Sequence, residues 1–340
     1  MEALQDVLAK VNAEQPASLN LFGKNIGPEG AHLLANELRT NTCLSELYVH
    51  GNELGDTGAE AIAGAFSSRL SNPEENELNE NDSFAGRSTV FGSSVMGSVD
   101  KSVPAVNTTI CRLDLSGNNI SHVGAEALAE MLAESNALRV LVLNGNNIGE
   151  MGVTAIAKTL RTNTSLTDLD LTLNSIGSNG ARAMGWALQF NSCALEKLTL
   201  DANEIGEDGA KSFAESCLRR NTRLHSVCLR HNGIGTDGAN FIAGALKDNT
   251  HVTTLDLVSA YDKQDIDDSA LATIDAYLLR NLKAAAIVRS AATRAESSCR
   301  VPADLKAAVR TGRVHEILRI TNDRLAMMGV TNQTTSQAFY

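Results

Sequence analysis

One pattern returns every 28 or 29 residues between Leu113 and Leu257, and a period in the twenties makes the chain a stack of units rather than an ordinary globule. Leu113-Asp114-Leu115 leads to Asn118 and Ile120, and Leu141-Val142-Leu143 leads to Asn146 and Ile148. Leu169, Leu198 and Val227 open three further copies, which carry Asn174, Asn203 and Asn232 in the same place. Two more copies lie upstream, at Leu19 and at Leu47 with Asn52. Behind each Asn come an apolar residue and then a Gly-Ala or Gly-Val pair, at Gly124, Gly152, Gly180, Gly209 and Gly238, which marks a helix start.

Each part of the unit has a physical reason. Alternation of the L-x-L type buries two side chains of a short strand and turns the residue between them outward. The Asn stands where the chain bends from strand to helix. Its amide there can satisfy backbone groups that the bend leaves unpaired, each costing roughly 1–3 kcal/mol if buried alone. The Gly permits close packing of helix on strand. Apolar residues then follow at helical spacing, as in Ala31, Leu34, Ala35 and Leu38 or Ala125, Leu128, Ala129 and Leu132. One such stripe can be buried only against the neighbouring units.

The run L-x-L-x-x-N-x-I-G-x-x-G-A-x-x-[LI]-A-x-x-L resembles the ribonuclease-inhibitor type of leucine-rich repeat, over residues 17–281. That resemblance implies an α/β fold, a horseshoe-shaped solenoid of about eight repeats. Parallel strands would line its concave face, α-helices its convex face, and helical caps its ends. It says little about function, because one scaffold carries many partners.

Charge narrows the partner classes. The net charge is −11, yet from Leu282 onward there are nine Lys/Arg against four Asp/Glu, so the repeats themselves are strongly acidic. Nucleic acid needs a basic face and is not expected. A protein partner with a basic surface is. No apolar run approaches the roughly 20 residues of a membrane span, and the first fifteen residues lack the order of a signal peptide. The six cysteines show no paired spacing, with Cys43 and Cys193 at equivalent positions, so buried reduced thiols and a cytoplasmic setting are expected.

The ends and one interruption break the period. Residues 1–16 place Leu4, Val7, Leu8 and Val11 on one helical face and read as an N-terminal capping helix. The first repeat has Lys24 at the Asn position, with Asn25 beside it as a substitute. Residues 69–106 form a Ser-, Asn-, Glu- and Gly-rich insertion that reads as disordered. The eighth repeat has Ala260 in place of Asn, then an acidic loop at residues 262–268 that lacks the Gly and closing Glu of a calcium loop. Leu271, Ile274, Tyr277 and Leu278 make a last helix. Residues 282–340 form a basic, partly helical extension whose amphipathic stretch suits a partner or a fold-back.

Candidate functional residues lie on the exposed side of the strands. One end presents Phe22, Tyr48 and His50, the centre Asp114, Asp168, Asp170 and Asp201, and the far end Arg230. An aromatic anchor beside an acidic centre suits a protein partner with basic groups. Asn52, Asn118, Asn146, Asn174, Asn203 and Asn232 form the structural ladder. The single Trp186, one step off the apolar stripe, reads as a wedge between helices or as an outer anchor. No G-x-x-x-x-G-K-[ST], H-E-x-x-H or C-x-x-C motif is present, and no catalytic residue, metal or cofactor is expected. The expectation is a non-catalytic interaction scaffold, with a cytoskeletal or flagellar assembly as one setting. The alternative rests on a resemblance to Ran GTPase activators, with a small GTPase as partner, although their tail is acidic and this one is basic.

Overall fold

A computed structural model describes residues 2–67, 107–189, 192–258 and 266–297. The expected insertion, the acidic loop with Ala260 apart from residues 266–268, and the chain beyond Ser297 lie outside the described residues.

Eight three-residue strands form one open parallel sheet in sequence order. They are β1 (Ser18–Asn20), β2 (Glu46–Tyr48), β3 (Arg112–Asp114), β4 (Val140–Val142), β5 (Asp168–Asp170), β6 (Lys197–Thr199), β7 (Ser226–Cys228) and β8 (Thr254–Asp256). Helix α1 (Glu2–Glu14) precedes β1 and buries Leu4, Leu8 and Val11. Seven helices then alternate with the strands: α2 (Gly27–Thr40), α3 (Gly55–Gly64), α4 (His122–Glu134), α5 (Gly149–Leu160), α6 (Gly177–Leu188), α7 (Gly206–Phe213) and α8 (Gly235–Asp248). A long α9 (Asp268–Ser297) follows β8 and runs unbroken past residue 281, where the period ends. Strands stack about 4.8 Å apart and helices 8–10 Å apart, so the sheet takes the inner side of the curve.

The helices begin three residues before the Gly-Ala pairs read from sequence, except α4, which begins two before. Those glycines sit in the first turn and explain the close stacking: a Cβ on Gly152 would lie 2.8 Å from Ala125 Cβ and 2.7 Å from Ile148 Cγ2.

The Asn ladder joins the repeats. Asn203 Nδ2 donates to the carbonyls of Leu171 (2.8 Å) and Asp201 (3.0 Å), while its Oδ1 accepts from the Asn174 amide at 2.9 Å. Asn52, Asn118, Asn146, Asn174 and Asn232 repeat the arrangement, and all but the half-buried Asn146 are buried. Asn25 stays exposed, in left-handed backbone at φ +54°. As in the later repeats, the amide of the apolar residue donates to the next unit's Asn, here Ile26 N to Asn52 Oδ1. A second ladder closes the other edge of the solenoid. Asn107, Asn163, Asn221, Asn249 and Asn281 donate to carbonyls in the last turn of the preceding unit's helix or just beyond it, as in Asn163 Nδ2 to Leu132 O at 2.7 Å.

Two deviations have local causes. Twelve residues, not eleven, separate Gly209 from its exit Asn221, and the extra one is taken up by a π-helical turn at Ala214–Leu218. At the start of α4, Ser121 replaces the left-handed Gly seen at Gly55, Gly149 and Gly177. Its amide bonds Asp56 Oδ1 (2.7 Å) and its hydroxyl Asp56 Oδ2 (2.6 Å), and the Gly124 amide joins them at 3.0 Å. A carboxylate from the previous repeat thus accepts from the first turn of α4 and joins two repeats that the insertion separates in sequence. Burial alone would raise the Asp56 pKa, but these hydrogen bonds outweigh it and hold the group below its ordinary value.

Candidate functional site

Strand register lines up three rows of side chains on the concave face. The first row runs Ser18, Glu46, Arg112, Val140, Asp168, Lys197, Ser226, Thr254, and the middle row runs Asn20, Tyr48, Asp114, Val142, Asp170, Thr199, Cys228, Asp256. The buried leucines between these rows point the other way, into the core. A third row, from Phe22 through His50 to Arg230, follows the second apolar residue of each repeat.

Aromatic groups gather at the N-terminal end. Phe22 is 60% exposed and stacks on His50, with ring centroids 4.3 Å apart and planes 20° apart. The ring covers Gly51, where a Cβ would approach Phe22 Cε2 to 3.2 Å. His50 Nδ1 lies 3.7 Å from Asp114 Oδ2, too far for a hydrogen bond. Tyr48 donates to Glu46 Oε2 at 3.0 Å, and the Arg112 guanidinium sits 5.7 Å from its ring centroid. Burial first, and then the bond to Glu46, raise the phenol pKa. Phe22 and His50 thus form one stacked pair, while the partners recorded for Tyr48 are Glu46 and Arg112.

At the centre, Asp114 and Asp170 are half-buried and each turns one oxygen back onto its own strand end. Asp114 Oδ1 accepts from the Ser116 amide (3.0 Å) and hydroxyl (2.7 Å), and Asp170 Oδ1 accepts likewise from Thr172 at 2.9 and 2.7 Å. Asp168 Oδ2 accepts from the Thr167 hydroxyl at 2.6 Å. Neither Asp168 nor Asp170 has a cationic partner within 4 Å among the described residues. Between β3 and β5 stand the half-buried Val140 and Val142, and a shallow depression runs from Arg112 across them to Lys197. The Nε of Arg112 is buried without a hydrogen-bond partner among the described residues. Arg112, Val140 and Lys197 were not singled out by the sequence reading, which took only Asp168 as a candidate from the row before each first Leu. The repeat register that located the other rows locates this one too.

The far end differs from expectation. Asp201 is 5% exposed rather than part of an open acidic centre. It accepts from Arg230 at the amide N and Nε, each at 2.8 Å, and at a terminal guanidinium nitrogen at 2.6 Å. That bond to Asp201 is also the main cause of a raised Arg230 pKa. Cys228 lies beside the pair with Sγ 3.6 Å from Asp256 Oδ2. Burial foremost, with Asp201 and Asp256 adding to it, pushes its thiol up to about 11. Asp201 and Arg230 neutralise each other and hold two strands together.

Trp186 is not a wedge. It lies 57% exposed on α6 with the Arg161 guanidinium 5.4 Å from its ring centroid. Close packing falls to Gly185 instead, where a Cβ would meet Phe213 Cα at 3.1 Å. Cys43, Cys111, Cys193, Cys217 and Cys228 are free thiols, Cys193 buried as expected and Cys43 half-buried. Among the described residues, no group of three or more His, Cys, Asp or Glu is placed to hold a metal ion, and no helix is long and apolar enough to cross a membrane.

A leucine-rich-repeat family model matches residues 40–63, 106–129, 134–157 and 162–185. No curated protein matches the chain. Among solved structures, the actin-binding site 2 of leiomodin-1 is similar at 14% identity and a TM-score of 0.26, covering 85% of this chain and 95% of that one. The tropomodulin C-terminal domain of Caenorhabditis elegans is similar at 11% identity and a TM-score of 0.26, covering 85% of this chain and 96% of that one. Likeness at that level carries no argument about a partner. The family match and the eight parallel strands with their alternating helices together make the chain a leucine-rich-repeat solenoid.

Proposed function

We propose that this solenoid is a non-catalytic protein-interaction scaffold whose concave face binds a protein partner with basic groups. The observation that supports it most is the contrast in charge pairing along one sheet. Asp168 and Asp170 have no cation within 4 Å among the described residues, although Asp201 one strand on is fully paired with Arg230. Charges held unpaired beside apolar groups select a complementary surface. Phe22, exposed and rigidly stacked, supplies an aromatic anchor of the kind that dominates interfaces.

Helices of full length within a 28- to 29-residue period favour the ribonuclease-inhibitor type of repeat. We assign residues 1–16 as the N-terminal cap, 17–281 as the repeat domain with the insertion 69–106, and 282–340 as an appended basic extension. A cytoskeletal or flagellar assembly is the setting we propose, and co-sedimentation with cytoskeletal fractions tests it. Nothing in the comparisons supports a GTPase activator.

The test is capture of partners by the full chain and by its Asp168→Lys/Asp170→Lys variant, with proteins quantified by mass spectrometry. The reading expects a defined set of proteins to be lost from the variant while its thermal unfolding is unchanged. Undiminished capture by a folded variant rejects the concave carboxylates as the binding determinant.

A further inference from the structure

Resting on the concave-face reading, we infer that the element this face receives is an amphipathic α-helix laid across the strands. It seats an apolar side chain on Val140 and Val142 and places a lysine or arginine, three or four residues further along, against Asp168 and Asp170.

The face of a sheet offers side chains but no free backbone groups, since the strand amides and carbonyls are engaged with neighbouring strands. An extended peptide lying there would leave its own backbone polar groups unpaired on an apolar floor, at roughly 1–3 kcal/mol each. A helix satisfies its backbone internally and brings only side chains.

Spacing gives the same answer. Val140 pairs in register with Asp168, and Val142 with Asp170, so apolar floor and carboxylates are one strand interval apart. That interval is about 4.8 Å. Side chains three or four apart on a helix lie about 5–6 Å from one another, whereas alternate residues of a strand, the nearest on one face, are about 6.6 Å apart.

Charge fixes the sign. One oxygen of each carboxylate is already used, Asp168 Oδ2 by Thr167 and Asp170 Oδ1 by Thr172, and the second oxygen of each has no protein donor among the described residues. Lys197, in register with Asp168, does not bring its ammonium within 4 Å of it. Two half-free carboxylates on one strand suit a cation that can donate to both, as a lysine or arginine does. Phe22 stands three strand intervals from β4, about 14 Å, within the span of three helical turns.

A phage library that randomises the exposed face of a short stable helix, selected on the full-length chain, tests this. We expect enrichment of an apolar residue followed at the third or fourth position by Lys or Arg. A synthetic winner should lose at least about tenfold in affinity on Asp168→Asn/Asp170→Asn, and a similar factor on Val142→Lys. Its affinity should also fall as salt rises. Winners that need these residues but lack the basic position overturn the helix pattern and leave the concave-face reading intact. Winners indifferent to every concave substitution overturn both. A library with no enrichment over an unselected one overturns the helix inference alone.

Discussion

Asp170 and Asp201 are the same residue type on the same face of the same sheet, one repeat apart, yet they do opposite things. Asp201 follows the second Leu of its repeat, level with the Arg230 amide of the next strand end, and its carboxylate is closed by three donors from one arginine. Asp170 stands between its two leucines, opposite Val142 and Thr199, and neither neighbour carries a charge to neutralise it as Arg230 does Asp201. The C-terminal half of the concave face pairs one carboxylate, Asp201, internally with Arg230, and the β1–β5 half holds Asp168 and Asp170 without a cation and Phe22 exposed. What separates structural from available carboxylates is the row they occupy and the residue one repeat further on.

Removing Asp201 should sharpen this contrast most. Asp201→Ala strips the Arg230 amide and guanidinium of their acceptor, and we expect a loss of about 2–3 kcal/mol, read as a lower midpoint in urea with an unchanged slope. Asp56→Ala comes next, because it removes the acceptor that ties the start of α4 to the previous repeat; about 1–2 kcal/mol is expected. Since the folded state holds the Asp56 pKa below 3.8, that contribution is complete above the ordinary carboxylate range and fades as pH falls through the lower folded value. Wild type and variant should therefore differ at neutral pH and converge in strong acid. The smallest effect belongs to Asp168→Asn/Asp170→Asn, whose stability should stay within about 0.5 kcal/mol of wild type. A loss as large as that of Asp201→Ala would erase the distinction between the two halves. On the outer surface, acrylamide should quench Trp186 readily, since its indole is exposed.

Much of this was legible in the sequence because repetition multiplies weak signals. One L-x-L-x-x-N run is an ambiguous strand, but seven near-copies fixed strand order, register and the Asn ladder together. Lys24 shows the limit. The first repeat has no Asn at that position, and only the structure shows that Asn25 turns outward rather than standing in for it. The exit Asn row was visible at Asn41 and Asn107, but its role needed the helix-end carbonyls in place. Asp201 was misread as open acid for a physical reason: alternation tells which face a side chain takes, and nothing about what it meets there. Arg230 lies 29 residues on, one full repeat, and an opposite charge at that offset was the signal. Of the two placements open for Trp186 the exposed one holds, because the neighbouring Gly185 had already taken the close contact.

The most direct measurement is site-specific photo-crosslinking of the full chain in cells, with the reactive residue placed in turn at Val142 on the concave face and at Trp186 on the outer one. The account predicts a discrete adduct from position 142, abolished by Asp168→Lys/Asp170→Lys, and none of the same mass from position 186. Adducts from position 186 alone, or an adduct at 142 that ignores the two carboxylates, would contradict it.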